Sequence, residues 1–187
     1  MTMTKDYLLL LRGVNVGGKH PVRMATLKDD LEKLNYSKVR SYINSGNIIF
    51  SSVVEKNKIE EQLKTYFNQH YPFSIPFILL EKNELESDFR SLPVWWQNQY
   101  YRKNVLFYLQ DVTKAIKLGL IEQISNNGNE KIHFGKNALF WAVLNEEDYQ
   151  KSFYHKTLLT LPIYKNVTVR NEKTYQKLIS MLTIKKD

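Results

Sequence analysis

The residues best suited to ligand chemistry lie in two short polar stretches within the first fifty residues. The stretch "RGVNVGGK", residues 12–19, holds three glycines between an arginine and a lysine. Glycine-rich backbone can direct its N–H groups toward an anion, and flanking cations favour the same charge. The stretch "NSGN", residues 44–47, adds neutral amides and a hydroxyl. These stretches predict a binding site for an anionic small molecule or nucleotide, formed by Arg12, Asn15, Gly17, Gly18, Lys19, Asn44, Ser45, Gly46 and Asn47.

The same residues also fit two tight turns that bind nothing. Gly17–Gly18 and Gly46 can supply backbone with positive φ, and asparagine side chains in turns often bond to their own backbone. The sequence leaves both interpretations open.

The glycine stretch matches a P-loop only in part. Residues 13–19 read G-x-x-x-x-G-K, but His20 stands where a P-loop has the Ser or Thr that holds Mg²⁺. The helical pattern that follows begins only near Met24, whereas a P-loop helix starts at the lysine. The pattern therefore disfavours a nucleoside triphosphatase.

No other motif identifies a catalytic group, a metal site or a cofactor. The four histidines stand apart from one another, and neither C-x-x-C nor H-E-x-x-H occurs, so no metal-ligand set is predicted. The catalytic residues, the cofactor and the oligomeric state stay undetermined by the sequence.

Composition narrows the class of protein. The 187 residues carry a net charge of +8 and contain no cysteine. No apolar run approaches the roughly 20 residues of a membrane-spanning helix, and no signal peptide is apparent. We therefore expect a cytoplasmic protein with no membrane association. The positive charge is compatible with an anionic partner.

Hydrophobic periodicity predicts the elements around the two polar stretches. Residues 12–19 follow a strand and precede a helix, and residues 44–47 join two strands. In the first half, strands are predicted at residues 7–11, 39–43, 48–51 and 75–80, with helices near Met24–Leu34 and Ile59–Phe67. In the second half, strands are predicted at residues 104–109, 131–134, 137–143 and 167–169. Helices should follow Thr113, Asn145 and Asn171, and the middle one should bury Tyr149, Phe153 and Leu158.

Each half therefore has the order β-α-β-β-α-β, which predicts an α+β protein. The expected architecture is two tandem ferredoxin-like plaits with antiparallel sheets and a C-terminal helix. The expected domains are residues 1–92 and 93–187. In this topology a right-handed crossover makes the first two strands parallel, with the third between them. Residues 12–19 and 44–47 should then lie side by side, as should "QDVT", 110–113, and "FGKN", 134–137.

Two other functions stay open. A nucleic-acid-binding module would suit the charge and the plait, but Phe140 and Trp141 are adjacent, so only one can stack on an open face. An enzyme acting on a phosphorylated substrate would need an acid–base pair that the sequence does not identify. The aromatic cluster near the junction can be a nucleobase platform or can pack the seam between domains; its members are Trp95, Trp96, Tyr100 and Tyr101.

The segment Leu10–Phe50 closely resembles the start of a bacterial family of unknown function, DUF1697. The resemblance rests on "LRGVNVGG", the helix beginning "MATL" and the turn "YINSGN"; "YHK" at 154–156 and "TVRN" at 168–171 also match. Glu172–Lys173 departs from the family pattern. The resemblance implies a pair of ferredoxin-like plaits. It implies no activity and no catalytic residues.

Overall fold

The first half contains one antiparallel sheet of four strands with two long helices. The computed structural model describes residues 3–109, 118–119 and 129–184. The strand order is β2–β3–β1–β4, so β3 lies between β1 and β2 as expected. The elements are β1 (Lys5–Leu11), α1 (Met24–Lys33), β2 (Ser37–Ser41), β3 (Asn47–Ser52), α2 (Lys56–His70) and β4 (Phe77–Glu81).

Strand β1 is the centre of this sheet. It pairs with β3 on one side and β4 on the other, and Leu9 lies opposite both Ile48 and Leu79. All residues from Tyr7 to Leu11 are buried, which explains the uninterrupted apolar run. Leu9 and Leu11 belong to a core that includes Leu27 of α1 and Leu63 of α2. The end of β1 is therefore a fixed point from which the glycine stretch departs.

The second half repeats the strand order in a separate sheet. Its strands are β5 (Arg102–Tyr108), β6 (Glu130–Phe134), β7 (Ala138–Val143) and β8 (Val167–Asn171), in the order β6–β7–β5–β8. The helix expected after Thr113 and the segment "QDVT" lie outside the described residues. Along the chain, β4 is followed by α3 (Lys82–Arg90) and by a 3-10 turn at Val94–Gln97. The sequence analysis did not predict α3.

The single helix expected after Asn145 is wrong, although its start is correct. Asn145 caps α4 (Glu146–Lys151) by accepting a hydrogen bond from Asp148 N at 2.8 Å. Ser152 then leaves helical geometry and caps a second short helix, α5 (Phe153–Lys156). Two 3-10 turns follow, Leu158–Thr160 and Pro162–Asn166. Serine competes for backbone hydrogen bonds and so favours a helix start over a helix interior.

The C-terminal helix, α6 (Glu172–Met181), begins as predicted. Asn171 Oδ1 accepts a hydrogen bond from Thr174 N at 2.8 Å. By their contacts, the described residues form two compact units: one runs to Glu86 and includes the segment from Leu178, and the other is Ser87–Lys177. No helix in the described part of the chain has the length and apolar content needed to span a membrane.

Trp96 belongs to the core of the second unit. Its side chain is buried, and its ring packs edge-to-face against Phe140 and Tyr175, with centroid distances of 5.2 and 6.3 Å. The buried ammonium group of Lys103 donates hydrogen bonds to Trp96 O at 2.9 Å and Asn98 O at 3.0 Å. Trp96 is therefore not exposed as a stacking platform.

Asp88 anchors the turn between β6 and β7. Its buried carboxylate accepts hydrogen bonds from Lys136 N at 2.7 Å and Asn137 N at 2.9 Å. Burial raises the pKa of Asp88, and the two backbone amides partly oppose that shift. The carboxylate thus replaces water as the acceptor for two turn amides.

We predict that Asp88→Ala lowers the free energy of unfolding by about 3 kcal/mol, because two partly buried turn amides lose their acceptor. Urea denaturation followed by tryptophan fluorescence measures the change. The control Asp29→Ala removes an exposed carboxylate from α1 and should cost less than about 0.5 kcal/mol. Equal losses in the two variants would contradict the anchoring role.

Candidate functional site

Three loop segments meet at one end of the first sheet. Leu11 N donates to Gly46 O at 2.8 Å, and Asn15 Nδ2 donates to Asn44 O at 2.7 Å. Arg12 N donates to Pro76 O at 2.8 Å, which adds the segment before β4. The predicted adjacency of the two polar stretches is therefore confirmed. We call residues 12–23, 42–47 and 71–76 together the loop rim.

The glycine stretch forms a small β-hairpin. Lys19 N donates to Val16 O at 3.0 Å, and Asn15 N donates to His20 O at 3.1 Å. Gly17 and Gly18, at φ +56° and +73°, occupy the two central positions of the turn. Positive φ at both positions is the requirement of a type I′ hairpin turn. Because α1 begins only at Met24, the stretch does not form a P-loop.

Asn15 joins the hairpin to its surroundings. Its Nδ2 donates to Val22 O at 2.8 Å as well as to Asn44 O, and its Oδ1 accepts from Val22 N at 2.8 Å. Both amide hydrogens and the carbonyl oxygen are therefore used within the protein. Asn15, a predicted ligand-binding residue, has a structural role.

Gly46 and Asn47 build the turn between β2 and β3. Gly46 has φ +74°, and a Cβ there would lie 2.6 Å from Leu11 Cβ. Asn47 is fully buried, and its Nδ2 donates to Tyr42 O at 3.0 Å and to Ser45 Oγ at 2.9 Å. The Asn47 amide and the Ser45 hydroxyl therefore help to fix the shape of the second polar stretch.

The cations of the rim differ in their placement. Lys19 and Arg23 are exposed, and among the described residues neither side chain forms an ion pair or a hydrogen bond. Arg12 is half-buried. Its backbone N–H is held by Pro76 O. The hairpin is anchored where Val14 and Val22 join the core. Arg12 and Lys19 thus share the rim but differ in exposure.

His20 is a rim residue that the sequence analysis did not include in the site. Its Nδ1 lies 3.1 Å from Gly13 O, and its ring stacks on Phe73 at a centroid distance of 4.6 Å and an angle of 29°. The imidazole is held in place although the residue is exposed. The only sequence signal was its position after "GK", and nothing in the sequence pairs it with Phe73, about fifty residues away.

The charge at the rim is positive. The sequence has no Asp or Glu in residues 7–28, 38–54 and 71–80, which contain the whole rim. Arg23 is the N-cap residue of α1, and no side chain caps the first-turn amides of that helix. The helix dipole at this end has the same sign as the cations.

Two concave features of the described residues lie away from the loop rim. A shallow groove of about 520 Å³ is lined by Leu34 and by α2 side chains such as Lys58, Glu61 and Gln69. A small apolar cavity in the second unit measures about 10 Å³, room for one water molecule. Within the described ranges, no three His, Asp or Glu side chains cluster as metal ligands.

Comparison with known proteins assigns the family. The family described as "Protein of unknown function (DUF1697)" matches residues 3–140. The chain belongs to the DUF1697 family. The resemblance seen in the sequence is thereby confirmed. No curated protein matches this DUF1697 chain.

A solved structure is similar over nearly the whole chain. It is the conserved bacterial protein SP0830 from Streptococcus pneumoniae, with 42% sequence identity and a TM-score of 0.91. The alignment covers 96% of this chain and 99% of that one. The comparison supports the α+β architecture with two four-stranded antiparallel sheets, and neither the family nor the neighbour carries a named activity.

The rim glycines should differ in their tolerance of a side chain. Gly46→Ala combines positive φ with a clash against Leu11, so we expect a loss of about 3 kcal/mol in unfolding free energy. Gly17→Ala has the same backbone strain but nothing within 4 Å of the new Cβ, so about 1 kcal/mol is expected. Urea denaturation of both variants gives the comparison. A similar loss in each would show that the close approach to Leu11 is unimportant.

Proposed function

We propose that this DUF1697 protein binds an anionic small molecule, with nucleotides as the leading class, at the loop rim. The observation that carries the proposal is the pair of exposed cations, Lys19 and Arg23, which lack a partner among the described residues. They stand on a rim of three converging segments that contain no carboxylate. A bound anion would supply the missing counter-charge.

The surrounding backbone favours the same ligand chemistry. Gly17 and Gly18 have no side chains, so a ligand can approach the hairpin tip closely. The uncapped first turn of α1 adds N–H groups at the positive end of the helix dipole. Asn15, Gly46 and Asn47 support the site by fixing the loops, while Asn44 and Ser45 contribute to the neighbouring turn.

We also infer that the chain is built from two ferredoxin-like plaits, residues 1–92 and 93–187. The shared strand orders β2–β3–β1–β4 and β6–β7–β5–β8 support this classification. The division into two compact units also supports a chain of two modules. Its bounds differ from those proposed, because the second unit begins at Ser87 and the segment from Leu178 belongs to the first unit.

The two alternative functions gain less support. Both aromatic rings considered for nucleic-acid stacking are buried, Phe140 at 0% and Trp141 at 1% exposure, so neither is available to a base. The sequence allowed at most one of them to stack on an open face, and all six residues of β7 are buried. An enzymatic role would appear as turnover in the ligand experiment described next.

We expect at least one nucleotide or phosphorylated metabolite to raise the melting temperature of the purified protein at low salt. Isothermal titration calorimetry of the hits should show at least a tenfold loss of affinity in Lys19→Ala/Arg23→Ala, about 1.4 kcal/mol. The reason is the removal of the two cations that lack a counter-charge. Product analysis of the same mixtures detects any turnover of a phosphoester.

The matched control is Lys131→Ala/Lys165→Ala, which removes two exposed cations from the second unit. It should bind the hits as the unmodified protein does. An equal loss of affinity in the two double variants would show that binding depends only on the net charge of the protein. Absence of any stabilising anion would refute the proposed function.

A further inference from the structure

We propose that His20 contacts the bound oxyanion through Nε2 and that the site takes up a proton when a phosphate or sulfate group binds. This inference rests on the proposed function, because it assigns a contact and a pH dependence to the same rim.

The His20 imidazole is more constrained than an exposed side chain needs to be. An exposed ring normally samples several rotamers, and fixing it costs entropy. Here the ring is held on Phe73 by stacking and on Gly13 O by a hydrogen bond. The backbone is held as well, because His20 O accepts from Asn15 N at 3.1 Å. Such restraint is how proteins preorganise a group for a ligand.

The hydrogen bond to Gly13 also fixes the tautomer. A carbonyl oxygen can only accept, so Nδ1 must carry the hydrogen. In the neutral ring Nε2 then has a lone pair, and in the described part of the chain nothing engages it. When protonated, Nε2 becomes a donor of a charge-assisted hydrogen bond, the kind that oxyanions accept most strongly.

The groups around the His20 ring are neutral or positively charged. Phe73 and Gly13, which contact the ring, do not titrate, and burial raises the pKa of Tyr71 beside Phe73, which keeps that phenol neutral. On the same loop stand Arg12, Lys19 and Arg23, and no carboxylate occurs in the rim. A bound oxyanion would supply the negative charge that these surroundings lack, so its binding and the protonation of His20 favour each other.

The sign of the pH effect follows directly. If the complex holds one more proton than the free protein, affinity falls as the pH rises, by at most tenfold per pH unit. The site would therefore favour phosphate and sulfate groups, whose oxygens can accept from Nε2 and from a cation together.

The test uses sodium sulfate as the probe, because its charge is constant across the neutral pH range. Sulfate affinity of the full chain, measured by calorimetry at low salt from about pH 5.5 to 8.5, should fall with rising pH. In His20→Gln the affinity at acidic pH should drop at least fivefold and the pH dependence should disappear. The nucleotide hits, carrying phosphate, should show the same dependence on His20.

His70 offers a matched control. Its Nδ1 lies 2.9 Å from Tyr66 O, and its ring stacks on Tyr66 at 4.3 Å, so it is restrained in the same way but on α2, outside the rim. His70→Gln should leave sulfate affinity and its pH dependence unchanged.

A second readout does not depend on the variant folding correctly. Imidazole ¹⁵N spectra of the unmodified protein should show the Nδ1–H tautomer of His20 and an increase in its protonated fraction on adding sulfate. An Nε2–H tautomer, or a pH dependence that persists in His20→Gln, would overturn this inference. The proposed function would still hold if Lys19→Ala/Arg23→Ala abolished binding. If no sulfate, phosphate or nucleotide binds at any pH, both proposals fail.

Discussion

The side chain of Asn15 is the contact on which the loop rim depends. Its three hydrogen bonds join the hairpin to Val22 and to Asn44. The hairpin is also held by the core packing of Val14 and by the stacking of His20 on Phe73. Among these contacts, the Asn15 amide is the one that hydrogen-bonds the first polar stretch to the second.

Backbone strain in the described residues is concentrated at this same rim. Of the ten described residues with φ in the left-handed region, seven lie between 13 and 46 on the rim: Gly13, Asn15, Gly17, Gly18, His20, Ile43 and Gly46. Four are glycines, which tolerate this conformation, but Ile43 is β-branched and exposed at 51%. Each non-glycine residue there costs about 1–2 kcal/mol. Strain of this kind persists only where neighbouring contacts over-determine the shape, as the Asn15 bonds do.

The sequence predicted the parts of this arrangement that depend on chain direction and hydrophobic period. An apolar run fixed β1, and the order of strands sufficed to bring residues 12–19 beside 44–47. It could not separate the roles of the polar residues, because a hydrogen-bond partner such as Asn44 O for Asn15 is known only once the loops are packed. The same limit explains the missed stacking of His20 on Phe73. The broken helix after Ser152 was missed because its apolar spacing resembles that of one longer helix.

Two interpretations of the polar stretches, as turns or as a binding site, turn out to concern different residues. Asn15 donates to two carbonyl oxygens, and Asn47 donates to a carbonyl and a hydroxyl. An aspartate could serve neither position, since a carboxylate only accepts. Folding by itself therefore accounts for neutral amides at these positions. It does not account for Lys19 and Arg23, which are exposed and lack partners among the described residues, or for a restrained His20. Substitution of those three residues therefore decides whether the rim binds an anionic ligand.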